Sequence, residues 1–339
     1  MEYSVLMAKE PGKIRLEKVP FPEGAFTDDS VMMKICKSAV SAGTECAWLS
    51  GRANNAGNTF PYCPGYSSAG IIEKVGKNVK SFVPGEKVAA FTVGHRSAVI
   101  LSEENARAKL CKITDERVSL KEAAFSYIST FPMLGVRKLM IEMGESVMIA
   151  GLGILGQFAV QYARLRGAAP VLGCDMDPAR RALALKMGAD AVFDPAEPDF
   201  TEKVRAFCGK GVNAVVEVTG KAIALRQALR YTARMGRIVL TGCTRVPEGV
   251  IDFYRDVHLP GITIIGAHTS TRPEVDSRIG AWTTLDDMRT FHRFIAMGRI
   301  DAKSLISHEY SPRDAQEVYD MLLTSPNPPL GLVYDWSSL

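Results

Sequence analysis

The chain has 339 residues, 47% of them hydrophobic and 23% charged, enough for two domains with separate cores. Its 41 basic and 37 acidic residues leave a net charge of +4, with no basic run interleaved with aromatics, so no nucleic-acid partner is expected. Lys9, Glu10 and Pro11 interrupt the N-terminus before an apolar core of signal-peptide length develops, and the longest apolar region, 147–172, contains Gln157, Gln161, Arg164 and Arg166. No membrane span or membrane partner is expected, and the cytoplasm is the default compartment. The cysteines at 36, 46, 63, 111, 174, 208 and 243 form no Cys-x-x-Cys pair, so they read as small buried apolar residues, without a disulfide framework or a structural zinc site.

In chain order, the first 120 residues are β-rich: short runs at Val31–Ile35, Ala69–Val75, Lys87–Ala90 and Ala98–Leu101 are bounded by Pro and Gly signals such as Val83-Pro84-Gly85-Glu86. The pattern turns helical over 121–142. From residue 147 strands alternate with helices. Strands are expected at Val147–Ala150, Pro170–Cys174, Ala191–Phe193, Ala214–Val218, Arg237–Thr241 and Ile262–Ile265. Helices are expected at Gly156–Gly167, Pro178–Gly188, Phe200–Cys208, Ile223–Met235 and, shorter, Phe253–Val257. Such alternation predicts a parallel sheet covered on both faces. Helices at Thr284–Met297 and Pro312–Leu323 and a strand at Gly331–Tyr334 close the chain.

The strongest chemical signal is Val147-Met-Ile-Ala-Gly151-Leu152-Gly153-Ile154-Leu155-Gly156, a G-x-G-x-x-G motif that follows an apolar strand and opens a helix. Gly151 permits the tight turn, Gly153 lets backbone approach a pyrophosphate, and Gly156 allows close helix–strand packing. The first N–H groups of the helix and its positive dipole end then hold phosphate. Asp175, nineteen residues after Gly156, ends the next strand, where its carboxylate would accept both ribose hydroxyls and repel a 2′-phosphate. These residues predict NAD, with NADP disfavoured. Asp175 could instead cap the helix that begins near Pro178. Arg180 is either a cover for the adenine face or a solvated helix charge.

Pro64-Gly65-Tyr66-Ser-Ser-Ala-Gly70-Ile-Ile-Glu-Lys-Val75-Gly76, followed by Val83-Pro-Gly85-Glu86-Lys-Val88, resembles the early domain of medium-chain dehydrogenases/reductases, the alcohol dehydrogenase-like superfamily. Val215-Val-Glu-Val-Thr-Gly220, Gly236-Arg-Ile-Val-Leu-Thr-Gly242 and Gly261-Ile-Thr-Ile-Ile-Gly266 are similar to later strands of its cofactor domain. The resemblance implies an α/β fold. A Rossmann doubly wound parallel sheet, residues 125–269, would be inserted in a β-rich, partly open barrel-like (GroES-like) catalytic domain, residues 1–124 and 270–339. It implies cofactor contacts at Thr130, Thr219, Gly242 and His268 besides those of the glycine motif, with substrate in the cleft between domains. Substrate-pocket loops would lie at 50–60, 90–97 and 270–283. Ile262–Ile265 resembles the sheet edge that relatives pair across a two-fold axis, so a homodimer is expected.

Zinc-dependent members place metal ligands in three segments, and this chain departs at each. Ala42-Gly43-Thr44-Glu45 resembles Cys-Gly-Thr-Asp but holds Ala42 at the thiolate position. Pro64-Gly65-Tyr66-Ser67 replaces the imidazole and carboxylate of Pro-Gly-His-Glu with hydroxyls, and Phe125-Ser-Tyr127-Ile-Ser-Thr130 carries no Cys, His, Asp or Glu. Catalytic zinc takes about three nitrogen, sulfur or carboxylate ligands, so a zinc-free member is expected, Cys46 and Cys63 being the residues that could speak otherwise. Ser41–Glu45, Leu49–Arg52 and Pro64–Gly70 locally resemble the bacteriochlorophyllide hydroxyethyl dehydrogenases.

The reading that follows is hydride transfer between NAD(H) and an alcohol or carbonyl substrate without catalytic zinc. Thr44, Tyr66 and Tyr127 would donate to the substrate oxygen, and His95, in a catalytic-domain loop, would either reach substrate or sit exposed. A zinc-free NADPH-dependent quinone or enone reductase is the alternative, and a non-catalytic dinucleotide-binding protein the third possibility.

Overall fold

The computed structural model describes residues 2–51, 59–244 and 249–339. Part of the expected substrate loop at 50–60, Arg52 included, thus falls outside the described residues. The chain forms two compact units, Met1–Ile128 with Leu285–Leu339, and Ser129–Thr284. The second unit therefore extends fifteen residues beyond the boundary at 269 read from the sequence.

The first unit is built on a largely antiparallel seven-stranded sheet. Its path runs His308–Tyr310, Leu332–Asp335, Ser30–Ala39, Ser67–Val75, Lys87–Phe91 and Leu110–Lys112, with Ala98–Ser102 pairing the central Ser30–Ala39. A separate hairpin, Glu2–Glu10 with Lys13–Pro20, turns at Pro11-Gly12. Leu6, Met33, Ile35, Ile72 and Val88 pack with Tyr319, Tyr334 and Trp336 from the C-terminal segment in one core. Burying such side chains stabilises the unit by about 1.5–3 kcal/mol each.

The second unit holds six parallel strands in the order Ala191–Phe193, Val171–Cys174, Val147–Ala150, Val212–Glu217, Thr232–Leu240 and Thr263–Gly266. In chain order this is 3-2-1-4-5-6, the doubly wound dinucleotide-binding arrangement, whose ligands sit at the carboxyl ends of the strands. The central strands are continuously apolar because helices cover both faces. All four residues of Val147–Ala150 and of Val171–Cys174 are buried.

One expected element is corrected. The helix foreseen over Ile223–Met235 ends at Tyr231, and a strand begins at Thr232. The Thr232 hydroxyl bonds back to the Ala228 carbonyl at 2.6 Å and its backbone turns extended, which ends the helix. The short helix at Phe253–His258 is a π-helix. No helix among the described residues is long and apolar enough to cross a membrane.

Candidate functional site

The glycine motif forms the turn expected of it. Strand Val147–Ala150 ends at Gly151, whose φ of +96° belongs to the region that favours glycine. Helix Ile154–Leu165 then starts with Gly153 as N-cap and no side-chain cap, so the first-turn N–H groups around Ile154 and Leu155 are offered to a ligand. A Cβ at Gly156 would overlap the Gly151 carbonyl oxygen, whereas one at Gly153 would meet nothing within 4 Å. One glycine is thus required for packing and the other leaves open space.

Asp175, directly after strand Val171–Cys174, reaches this turn: its Oδ2 accepts from Leu152 N–H at 2.8 Å and its Oδ1 from Asp177 N–H at 2.9 Å. The cap of helix Pro178–Lys186 is Asp177 rather than Asp175. Arg180 lies 3.5 Å from Asp177 in an ion pair, while its neighbour Arg181 bonds the Asp175 carbonyl at 2.6 Å.

A residue that the sequence reading missed supports the other side of the turn. Glu217 ends the strand Val212–Glu217, is 2% exposed, and accepts from Thr219 N–H at 2.7 Å and Gly220 N–H at 3.1 Å. Burial pushes its carboxyl above the usual range, against the hydrogen bonds from Thr219 and Gly220. Thr219 packs its methyl 2.8 Å from where a Gly151 Cβ would stand, and Gly242 N–H donates to the Glu217 carbonyl at 2.9 Å. Gly151, Leu152, Asp175, Thr219 and Gly242 are thereby drawn into one cradle at the strand ends. Thr130 is buried, its carbonyl accepting from Arg272. His268 is exposed and bonds Ser270 Oγ at 2.7 Å, capping the turn Thr269–Thr271.

In the first unit, two of the three hydroxyl side chains expected to act together, Thr44 and Tyr66, are bonded to each other. Helix Ala42–Leu49 carries Thr44, and Tyr66 precedes strand Ser67–Val75. The Tyr66 hydroxyl bonds the Ser41 hydroxyl and is also bonded to the Thr44 side chain. The Tyr127 ring stands edge-on to Tyr66 at 5.7 Å and stacks on Phe91 at 4.9 Å. Burial drives the Tyr66 hydroxyl well above its ordinary ionisation range, more than the bonds from Ser41 and Thr44 bring it down. Tyr66 therefore stays a neutral hydroxyl, able to donate without ionising.

The reading of His95 is corrected. It is neither exposed nor open to a ligand: its ring is 0% exposed, with Nε2 3.0 Å from Glu45 Oε2 and Nδ1 2.8 Å from Ser38 Oγ. Ser38 also accepts from Trp336 Nε1 at 2.8 Å, and Tyr334 meets the imidazole edge-on at 5.2 Å. Glu45, equally buried, accepts from Ser41 N–H at 2.8 Å and from the Tyr319 hydroxyl. Burial alone would raise the Glu45 carboxyl, but the His95 charge and hydrogen bond, with those of Tyr319 and Ser41, hold it below the usual carboxylate range. The pair fills the interior of the sheet, a structural placement.

Residues 155–283 match the family model described as "Zinc-binding dehydrogenase". The sorbitol dehydrogenase of Bacillus subtilis (strain 168) is 23% identical over 93% of this chain and 92% of its own length. The chain is an alcohol dehydrogenase-like oxidoreductase. The D-guloside 3-dehydrogenase of Escherichia coli (strain K12) is 27% identical over 74% of this chain and 70% of its own length. In fold, the chain is similar to a Sinorhizobium meliloti 1021 protein solved bound to NADP, with a TM-score of 0.83 at 20% identity over 99% of both chains. The likeness in fold thus reaches beyond the segment matched by the family model to both units.

Proposed function

We propose that the chain transfers hydride between NAD(H) and a secondary alcohol or its ketone, with hydroxyl donors in place of catalytic zinc. The observation that carries the cofactor half is the Asp175 carboxylate bonded to Leu152 N–H at the glycine turn. A 2′-phosphate there meets like charge, on the order of 1–3 kcal/mol or roughly ten- to a hundredfold in affinity.

The family description names zinc, and the residues at the ligand positions do not fit it. Ala42 offers no donor, and Tyr66 is held by burial in its neutral form. The Ser126 hydroxyl is bonded to the Ala123 carbonyl and to His292 Nε2, both at 2.7 Å. Burial pushes the Cys46 thiol up to about 12 and raises Cys63, while Glu45 is committed to His95. Among the described residues no three of His, Cys, Asp and Glu gather as a metal site. Zinc would stabilise the negative charge that develops on the carbonyl oxygen. In this chain fixed donors do so, as in an oxyanion site, with Thr44 and Tyr66 in that role. The Ser41–Tyr66–Thr44 hydroxyl chain can pass a proton without any member ionising. Tyr127 orients the Tyr66 ring through their edge-on contact.

The outer strand Thr263–Gly266 pairs on one side with Thr232–Leu240, and its other edge suits closed two-fold pairing into a homodimer. The test of this reading is a panel of secondary alcohols, ketones, enones and quinones with each nucleotide, followed by reduced-nicotinamide absorbance, together with metal analysis of the active protein. Alcohol turnover with NAD, unchanged after chelation, is expected. Enone reduction with NADPH instead, or activity that leaves with one zinc per chain, would overturn it.

A further inference from the structure

Next to the hydroxyl cluster the first unit holds a cavity of about 340 Å³ whose walls include Trp48, Tyr66, Val93, Val99 and Leu101. That volume suits a small organic molecule. Arg96 is the one charged residue of this lining among the described residues. Its guanidinium stands over the Tyr3 ring at 5.6 Å and bonds the Cys63 thiol, but pairs with no carboxylate among the described residues. Its Nε is buried without a hydrogen-bond partner. The stretch 52–58, Arg-Ala-Asn-Asn-Ala-Gly-Asn, has no acid to supply. Glu45, a carboxylate buried in the same unit, is taken up by His95, Tyr319 and Ser41.

Three other cations on this unit, by contrast, are paired. A larger cavity of about 650 Å³ has Lys112, Arg117 and Arg289 on its walls. There Lys112 pairs with Glu86 at 2.6 Å, Arg117 with Asp115 at 2.7 Å and Arg289 with Asp286 at 2.8 Å. Those cations are already neutralised. A half-buried guanidinium in a cavity wall, with its Nε donor left over and no carboxylate partner among the described residues, is suited to an anion, since a buried donor without a partner is costly and a bidentate oxyanion relieves it.

We infer that this cavity binds the anionic end of the substrate, a carboxylate or a phosphate monoester, with Arg96 as its fork and the Trp48 and Tyr66 walls holding the organic body. The inference deepens the proposed function by giving its substrate class, and rests on that reading only in making the ligand a substrate. Anion binding itself needs no turnover. The fork geometry matters as well as the charge, so lysine should replace arginine only in part.

The experiment is calorimetric titration of the purified protein with 3-phenyllactate, its uncharged amide and phenyl phosphate, on wild type, Arg96→Gln and Arg96→Lys, each first checked for its thermal midpoint. At least one anion should bind wild type ten times more tightly than the amide. Arg96→Gln should erase that preference with amide binding unchanged, and Arg96→Lys should keep part of it. Preference for phenyllactate assigns a carboxylate end, and preference for phenyl phosphate a phosphate end. Equal binding of anions and amide to wild type, or an anion preference that survives Arg96→Gln, would overturn the inference. Anion binding without oxidation of any hydroxy acid or hydroxyalkyl phosphate would leave the anion site standing and count against the proposed hydride transfer instead.

Discussion

Replacing His95 with alanine separates a structural role from a catalytic one. The change leaves the Glu45 carboxylate 0% exposed, with the Tyr319 hydroxyl and Ser41 N–H as its remaining partners. Breaking a buried pair by removing one member costs about 3–5 kcal/mol, because the surviving charge has lost its counter-charge but not its burial. For a unit of this size that is a fall of about 6–20 °C in thermal midpoint, taking about 2–4 °C per kcal/mol. Glu45→Gln keeps hydrogen bonds to Tyr319 and Ser41 within reach and should lose less than His95→Ala. The acid limb of stability supplies a second reading. Because the folded-state pKa of Glu45 is depressed, its contribution is fully present above the unfolded value of about 4.3 and is lost as pH falls through the folded one. Glu45→Gln should therefore flatten the loss of stability below about pH 4. Calorimetric melts from pH 3 to 8, with urea titrations at pH 7 and NADH titration as a control on the other unit, make the measurement. A His95→Ala protein that melts within about 1 kcal/mol of wild type yet loses turnover would refute the structural assignment.

Gly156→Ala must push the helix start away from the Gly151 carbonyl, since the added Cβ overlaps it. The expected cost is about 1–3 kcal/mol in stability and at least a tenfold loss of NADH affinity, read by fluorescence titration. Tyr66→Phe and Thr44→Val should each lower turnover about a hundred- to a thousandfold with NADH affinity unchanged. The pH–rate profile should show no tyrosine ionisation in the neutral range, because burial drives the Tyr66 hydroxyl upward; a phenol titrating near neutrality would reverse that conclusion.

The glycine turn was legible because its determinants are local. The turn, the helix start and Asp175 fall within 25 residues, and only glycine meets their steric demands at 151 and 156. The helix boundary at Tyr231 was not legible, because an amphipathic pattern that continues into Ala-Arg-Met has nothing in its periodicity to mark where a side-chain hydroxyl ends the helix. The N-terminal hairpin was hidden by its charges, although Pro11-Gly12 marks its turn. His95 misled for a different reason. Val93-Gly94-His95-Arg96 has the composition of an exposed loop, yet its burial is made by Glu45, fifty residues earlier, and by Tyr319, Tyr334 and Trp336, more than two hundred residues later.

The same distinction explains why Thr44 and Tyr66 could be named from motif positions while the state of Tyr66 could not. Which hydroxyl stands where is a matter of register, but whether it ionises depends on how much water the surrounding chain removes. Removing water from Tyr66 favours the neutral phenol, and removing it from the Arg96 Nε leaves a donor without a partner. Both consequences bear on one cavity: its tyrosine can donate a hydrogen bond without becoming an anion, so the negative charge that Arg96 lacks has to arrive with the ligand.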